Sequence, residues 1–153
     1  EFEQDGLLPY FTVREALAGL LEPEHTKDID QKKFSGAKFM GKHCQGQIEV
    51  NLDSIGPTIR SEHHGNIEFR RLSEEHGGRY HNELSAGCKE RRLTIRECAR
   101  IQSFPDEFSF IQVGKDGVST TNAYKAIGNA VPPLMAYHIA KRLEKLWPIY
   151  FSK

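Results

Sequence analysis

Cysteine is scarce in this chain and badly placed for cross-linking. Cys44, Cys88 and Cys98 are odd in number and form no CxxC pair, which argues against a disulfide framework and fits reduced thiols in an intracellular protein. His43-Cys44 and His63-His64 are adjacent pairs; no spacing here matches common structural zinc ligation, so no metal is expected. No apolar run approaches the roughly 20 residues that span a bilayer. The opening EFEQDGLLPY has no basic stretch followed by an apolar one, so no secretory leader is expected. An initial Met is lacking too, which suggests a fragment or a processed chain. Net charge is also lacking: 21 Lys and Arg balance 21 Asp and Glu, so composition alone does not announce a nucleic-acid partner.

What is present suits one domain, or one lobe of a larger enzyme: 153 residues, 38% hydrophobic and 27% charged, enough to bury a core. Charge is unevenly spread. Residues 1–59 carry 6 Lys/Arg against 10 Asp/Glu, and residues 60–153 carry 15 against 11. The C-terminal two thirds are therefore mildly basic, which permits phosphate contacts without demanding them.

Thr12-Val13-Arg14-Glu15 is a capping-box pattern, and the EALAGLL that follows predicts a helix ending near Glu22-Pro23. Residues 24–47, polar and rich in Gly and Lys, read as an irregular stretch. Ile48, Val50 and Leu52 alternate with Gln47, Glu49 and Asn51, the period of a half-buried strand. A turn at Asp53-Ser54-Ile55-Gly56-Pro57 leads to a short return strand at Thr58-Ile59-Arg60, and Ile67 and Phe69 suggest a third. Residues 73–89 read as a long loop with one turn of helix. A second capping box, Thr94-Ile95-Arg96-Glu97, opens a helix through about Gln102 that stops before Pro105. Residues 111–122 read as a polar connector. A last helix should begin at Pro132-Pro133, with Ala136, Ile139, Ala140, Leu143 and Trp147 on one apolar stripe and Pro148 ending it.

Two blocks are more specific than any of these elements. Residues 91–106 read RRLTIRECARIQSFPD and residues 126–133 read AIGNAVPP. In the first, Arg96 and Arg100 lie four apart and share a helix face, where their guanidinium forks can tie down neighbouring loops. In the second, Gly128 allows close backbone approach and Asn129 offers donors and an acceptor, just before a helix start with free N–H groups.

Together these blocks resemble the last two sequence motifs of DNA (cytosine-5) methyltransferases, in that family's order. The resemblance implies an α+β fold: a small mixed lobe with a short antiparallel sheet and a few helices, the family's target-recognition lobe. Its C-terminal helix would pack on a Rossmann-like catalytic domain. Residues 1–24 would be the linker and helix following that domain, 25–110 the target-recognition lobe, and 111–153 the connector and helix returning to it. The resemblance gives Arg96, Glu97 and Arg100 an architectural role. Asn129, Ala130 and Val131 become the positions lining part of an S-adenosylmethionine pocket.

Residues 45–64 resemble the target-recognition core, where a Thr followed by an aliphatic residue, here Thr58-Ile59, packs near the extruded nucleotide. Gln pairs bidentately with adenine and Arg with guanine, so Gln45, Gln47 and Arg60 are candidate base readers; a solvated hairpin with an idle polar face is the alternative. The implied partners are double-stranded DNA and the catalytic domain or subunit, with self-association of the isolated piece, in a bacterial cytoplasm and a restriction-modification system. The implied reaction flips a cytosine from the duplex, adds a cysteine to C6 and methylates C5.

Several family parts do not occur in this sequence. It has no Pro-Cys dipeptide, no FxGxG loop, no Glu-Asn-Val segment and no Gln-x-Arg-x-Arg segment. Cys98, inside a capped helix, is expected to be a small buried side chain and not a nucleophile. The chain alone is therefore expected to be inactive. The rival reading is a stand-alone sequence-specific DNA-binding module without catalysis.

Overall fold

Thr12 and Thr94 each open a helix with a reciprocal capping box in the computed structural model, which describes residues 9–61, 67–111 and 117–151. At the first, the Glu15 N–H donates to Thr12 Oγ1 (3.3 Å) and the Thr12 N–H donates to Glu15 Oε2 (2.7 Å). Helix α1, Val13–Ala16, nevertheless lasts one turn and does not reach Glu22-Pro23 as expected. Gly19, at φ +76°, takes a left-handed conformation that ends any continuation. Leu17 packs against the core while Leu21, four residues on, is exposed, so the apolar residues of EALAGLL do not share one face.

The second box opens α4, Ile95–Ile101, and this helix is the centre of the fold. Every residue from Arg91 to Ala99 is buried. Around α4 pack α1, α2 (Ile29–Lys32) and α5 (Thr120–Asn129). The core cluster joins Leu93, Ile95, Cys98 and Ala99 to Val13, Val50, Leu52, Ile59, Ile67, Phe110, Ala123, Tyr124 and Ile127. Tyr124 fastens α5 to this centre: its hydroxyl donates to Leu93 O (2.6 Å) and accepts the Ser35 N–H (3.2 Å).

The sheet is antiparallel and short, and of the three expected strands only the third, at Ile67 and Phe69, contributes to it. Strand β1, Phe69–Arg71, pairs with β2, Arg91–Arg92, with Phe69 opposite Arg92, Arg71 opposite Arg91 and an irregularity between them. Segment 48–50 runs parallel beside Phe69, whose N–H donates to Ile48 O and whose carbonyl accepts the Val50 N–H (both 2.9 Å). Residues 58–60 form no strand. The turn that would have closed a hairpin is used otherwise: Leu52 O and Ser54 O accept the Arg14 and Val13 N–H groups at the start of α1. These are donors that a helix start leaves without intrahelical partners.

The alternation at 47–52 is also altered. Val50 and Leu52 point inward as expected, Ile48 is exposed, and Gln47 and Glu49 are buried. Backbone partners make the burial of Glu49 tolerable, whereas Gln47 is paired at its amide oxygen alone and its Nε2 has no partner among the described residues. Gln47 Oε1 accepts the Met40 N–H, and the Glu49 carboxylate accepts the Leu72 and Arg79 N–H groups.

The expected single helical turn within 73–89 is α3, His81–Ser85. Of the expected connector at 111–122, the last three residues, 120–122, open α5 behind Ser119 as N-cap, and 112–116 lie outside the described residues; the Ala126–Asn129 portion of the second block is the end of that helix. Helix α6 runs Pro133–Phe151 and passes through Pro148. None of its described residues is buried; Ile139, Leu143 and Trp147 are each at least half exposed. No helix among the described residues is long and apolar enough to cross a membrane.

Candidate functional site

The site is built outward from the buried 91–102 block. Arg91 donates both terminal nitrogens to the Glu97 carboxylate (2.8 Å each) and its Nε to Glu22 (3.0 Å). Arg71 reaches the other side of Glu22 (2.9 Å) and also binds Glu83. Burial alone would raise the Glu22 carboxyl. The hydrogen bonds and charges of Arg91 and Arg71 outweigh it and hold the group at about 2. This alternating network ties the segment after α1 to both strands, α3 and α4.

Arg96 and Arg100 fasten loops on either side. Arg96 donates to Asp28 (2.6 Å), Asp30 (3.3 Å) and Phe108 O (2.8 Å), while the fully buried Asp30 accepts the Phe110 and Ile111 N–H groups (2.8 Å each). Arg100 forks onto Asp106 and donates to Ala18 O (2.7 Å). Its hydrogen bond lowers the Asp106 carboxyl below its ordinary value.

Arg92 does the same for the loop carrying Gln45. Its guanidinium donates to the carbonyls of Ala37 (2.7 Å), Lys38 (3.3 Å), Gly46 (2.8 Å) and Ile67, and lies 4.1 Å over the Phe69 ring. A planar five-donor fork can serve four carbonyls in this way; an ammonium cannot. Gln45 is thus exposed on a loop fixed one residue away, at Gly46. Thr58 is exposed and Ile59 is core beneath it. Arg60 is half-buried and donates to Glu68 (2.6 Å). Gln47 is fully buried, with its amide oxygen on Met40, and so lies under the loop and not on its surface. His63 and His64 lie outside the described residues.

The second block meets the first at an elbow between α5 and α6. Asn129 and Val131 are exposed there. Gln102 Nε2 donates to Ala130 O (2.9 Å) and Ile127 O (3.4 Å), and Ser103 Oγ accepts the Leu134 N–H (3.1 Å). Gly128 lies against the chain at Arg60 and Ser61, so the close approach it permits is to backbone. The elbow thereby carries Asn129 and Val131 beside the segment bearing Thr58 and Arg60. An exposed amide and an exposed aliphatic surface suit one edge of a nucleoside pocket. A cavity of about 710 Å³ adjoins the elbow, walled by Phe11, Val13, Arg100, Phe104, Leu134 and His138.

Cys98 is fully buried, and burial raises its thiol well above the ordinary value, the opposite of what a nucleophile needs. Among the described residues, no group of three or more His, Cys, Asp or Glu could hold a metal ion. Sequence reasoning did not single out Gln102, Ser103, Glu68 or Asp30. A Ser where a helix stop favours Gly was a readable signal for Ser103; the others depend on distant partners.

Residues 16–145 match the family model of the C-5 cytosine-specific DNA methylases, and the chain belongs to that family. It is 54% identical over 55 residues to the type II methyltransferase M.FnuDI of Fusobacterium nucleatum, which is 36% of this chain and 14% of that protein. It is 30% identical over 159 aligned positions to the type II methyltransferase M.BspRI of Lysinibacillus sphaericus and 26% identical over the same length to M.BsuRI of Bacillus subtilis. Those alignments cover 97% of this chain and 35% and 34% of the relatives. The chain therefore spans about a third of the length of these two relatives. No solved structure matches it.

Proposed function

We propose that this chain is the C-terminal part of a DNA (cytosine-5) methyltransferase of a restriction-modification system, supplying target recognition and one wall of the cofactor pocket. The observation that carries this reading is the double attachment of the 91–102 block. Arg92 fixes the loop bearing Gln45, and Gln102 fixes the elbow bearing Asn129, Ala130 and Val131. One buried block, running from β2 through α4 to its C-cap, thus holds both surfaces.

S-adenosylmethionine supplies the methyl group when bound. In this reading Asn129, Ala130 and Val131 line the edge of its pocket. Gln45 and Arg60 offer an amide and a guanidinium to base edges in the major groove, and Thr58 packs near the extruded nucleotide. Ile59 and Gln47 support that surface from below, and Arg96, Glu97 and Arg100 keep the surrounding loops in place. The cysteine nucleophile and main cofactor loop belong to a catalytic region bearing Pro-Cys and FxGxG. The apolar stripe of α6 is the face that region covers; each large side chain buried there contributes about 1.5–3 kcal/mol.

A stand-alone DNA-binding module is the rival reading, and it leaves the Asn129–Val131 elbow without a use. The two are separated by joining this chain to a cytosine-5 methyltransferase catalytic region and measuring methylation across a library of duplex sites. Gln45→Ala and Arg60→Ala are expected to change the preferred site. Unchanged preference in both variants overturns the choice of readers, and no methylation by the joined protein favours the rival.

A further inference from the structure

Helix α4 ends in a Schellman motif. The Phe104 N–H donates to Ala99 O and the Ser103 N–H donates to Arg100 O (both 2.9 Å), with Ser103 at φ +66°. That left-handed position normally belongs to glycine, because a β-carbon there is strained. Among the described residues, Ser103 is the one non-glycine with positive φ. Its hydroxyl gives a reason: Ser103 Oγ accepts the Leu134 N–H in the first turn of α6 (3.1 Å), a donor that α6 itself leaves unpaired. The preceding residue, Gln102, holds the other side of the elbow through Ala130 O and Ile127 O.

We infer that Gln102 and Ser103 are positioning residues for the cofactor: the strained helix stop is kept because it clamps the Asn129–Val131 edge from both sides. This inference rests on the reading of that edge as a wall of the S-adenosylmethionine pocket. Neither side chain need touch the cofactor. Their role is to hold the elbow still, so that binding does not have to order it first. A serine kept only for the fold could give way to glycine with no effect on cofactor binding; a serine kept for the clamp could not.

Ser103→Gly separates the two cases, because it relieves the backbone and removes the acceptor. In the chain, the midpoint of thermal unfolding is expected to stay or rise while amide exchange at Leu134 speeds up. In the enzyme joined to its catalytic region, the KM for S-adenosylmethionine is expected to rise about three- to tenfold, the loss of one hydrogen bond. The kcat and the preferred DNA site stay unchanged. Gln102→Ala is expected to raise the same KM, whereas the core variant Val50→Ala lowers the melting midpoint without moving it. Faster exchange at Leu134 with an unchanged KM overturns the inference and leaves the wall reading intact. Failure of the unmutated joined enzyme to bind S-adenosylmethionine overturns the wall reading, and the inference with it.

Discussion

Gly128 packs directly on the backbone of Arg60. A β-carbon added at Gly128 would lie 2.6 Å from the carbonyl carbon of Arg60 and 2.6 Å from the Ser61 nitrogen. These are main-chain atoms, so the contact cannot be relieved by rotating a side chain. The end of α5 and the segment carrying Thr58 and Arg60 are therefore held together by the absence of one methyl group.

Gly128→Ala weighs two effects against each other. Alanine within a helix gains roughly 0.5–1 kcal/mol over glycine, while overpacking against an unyielding neighbour costs about 1–3 kcal/mol. The overpacking wins at 2.6 Å. Urea unfolding is expected to show a net loss of stability, and a variant as stable as the parent contradicts the close contact.

Tyr124→Phe removes the hydroxyl shared between Leu93 O and the Ser35 N–H. Both backbone groups then lose a partner, Leu93 in a fully buried position. The cost expected from denaturant midpoints is about 1–3 kcal/mol, with local loosening at residues 34–36 visible by amide exchange. A change of a few tenths speaks against Tyr124 as the fastener of α5.

Much of this was legible because it is local. Both capping boxes need only a Thr and a Glu three residues later, and the structure contains both. The single turn in 73–89 and the start of α6 at the prolines were readable for the same reason. What was not readable depends on distant partners. Gln47 and Glu49 turn inward because the N–H groups of Met40, Leu72 and Arg79 wait for them. Arg91 and Arg92 look like a solvated basic pair, yet are a buried strand because Glu22, Glu97 and four carbonyls surround them. Helix α5 was hidden by its threonines and Gly128, residues that weaken a helical signal. The candidate readers were legible as residue types, but nothing in their spacing told that Gln47 lies beneath the loop that exposes Gln45.

The Glu22 network sets a pH dependence. The folded carboxyl sits at about 2 against an ordinary 4.5, so the unfolded chain takes up its proton first as pH falls. The stabilisation, on the order of 3 kcal/mol, is fully present above about pH 4.5 and is lost as pH drops toward 2. The stability difference between parent and Glu22→Gln is expected to be large at pH 7 and to shrink steadily below pH 5. A difference that is the same at pH 3 as at pH 7 contradicts the network.

Thiol accessibility gives an independent check on the core. Cys44 and Cys88 are partly exposed, whereas Cys98 is fully buried with its thiol pKa raised. Titration with a disulfide reagent under native conditions is expected to modify two thiols, and the third only with urea. Rapid labelling of Cys98 in the folded chain speaks against α4 as the buried centre.

In the proposed reading this chain supplies target recognition and a cofactor wall to a catalytic region, and methyl transfer needs both. Transfer of a tritiated methyl group from S-adenosylmethionine to unmethylated duplex DNA tests it most directly, with the chain alone and with the chain joined to a catalytic region bearing the Pro-Cys nucleophile. Background counts are expected for the chain alone and incorporation at C5 of cytosine for the joined protein. Incorporation by the chain alone that vanishes in Cys98→Ala would contradict that reading.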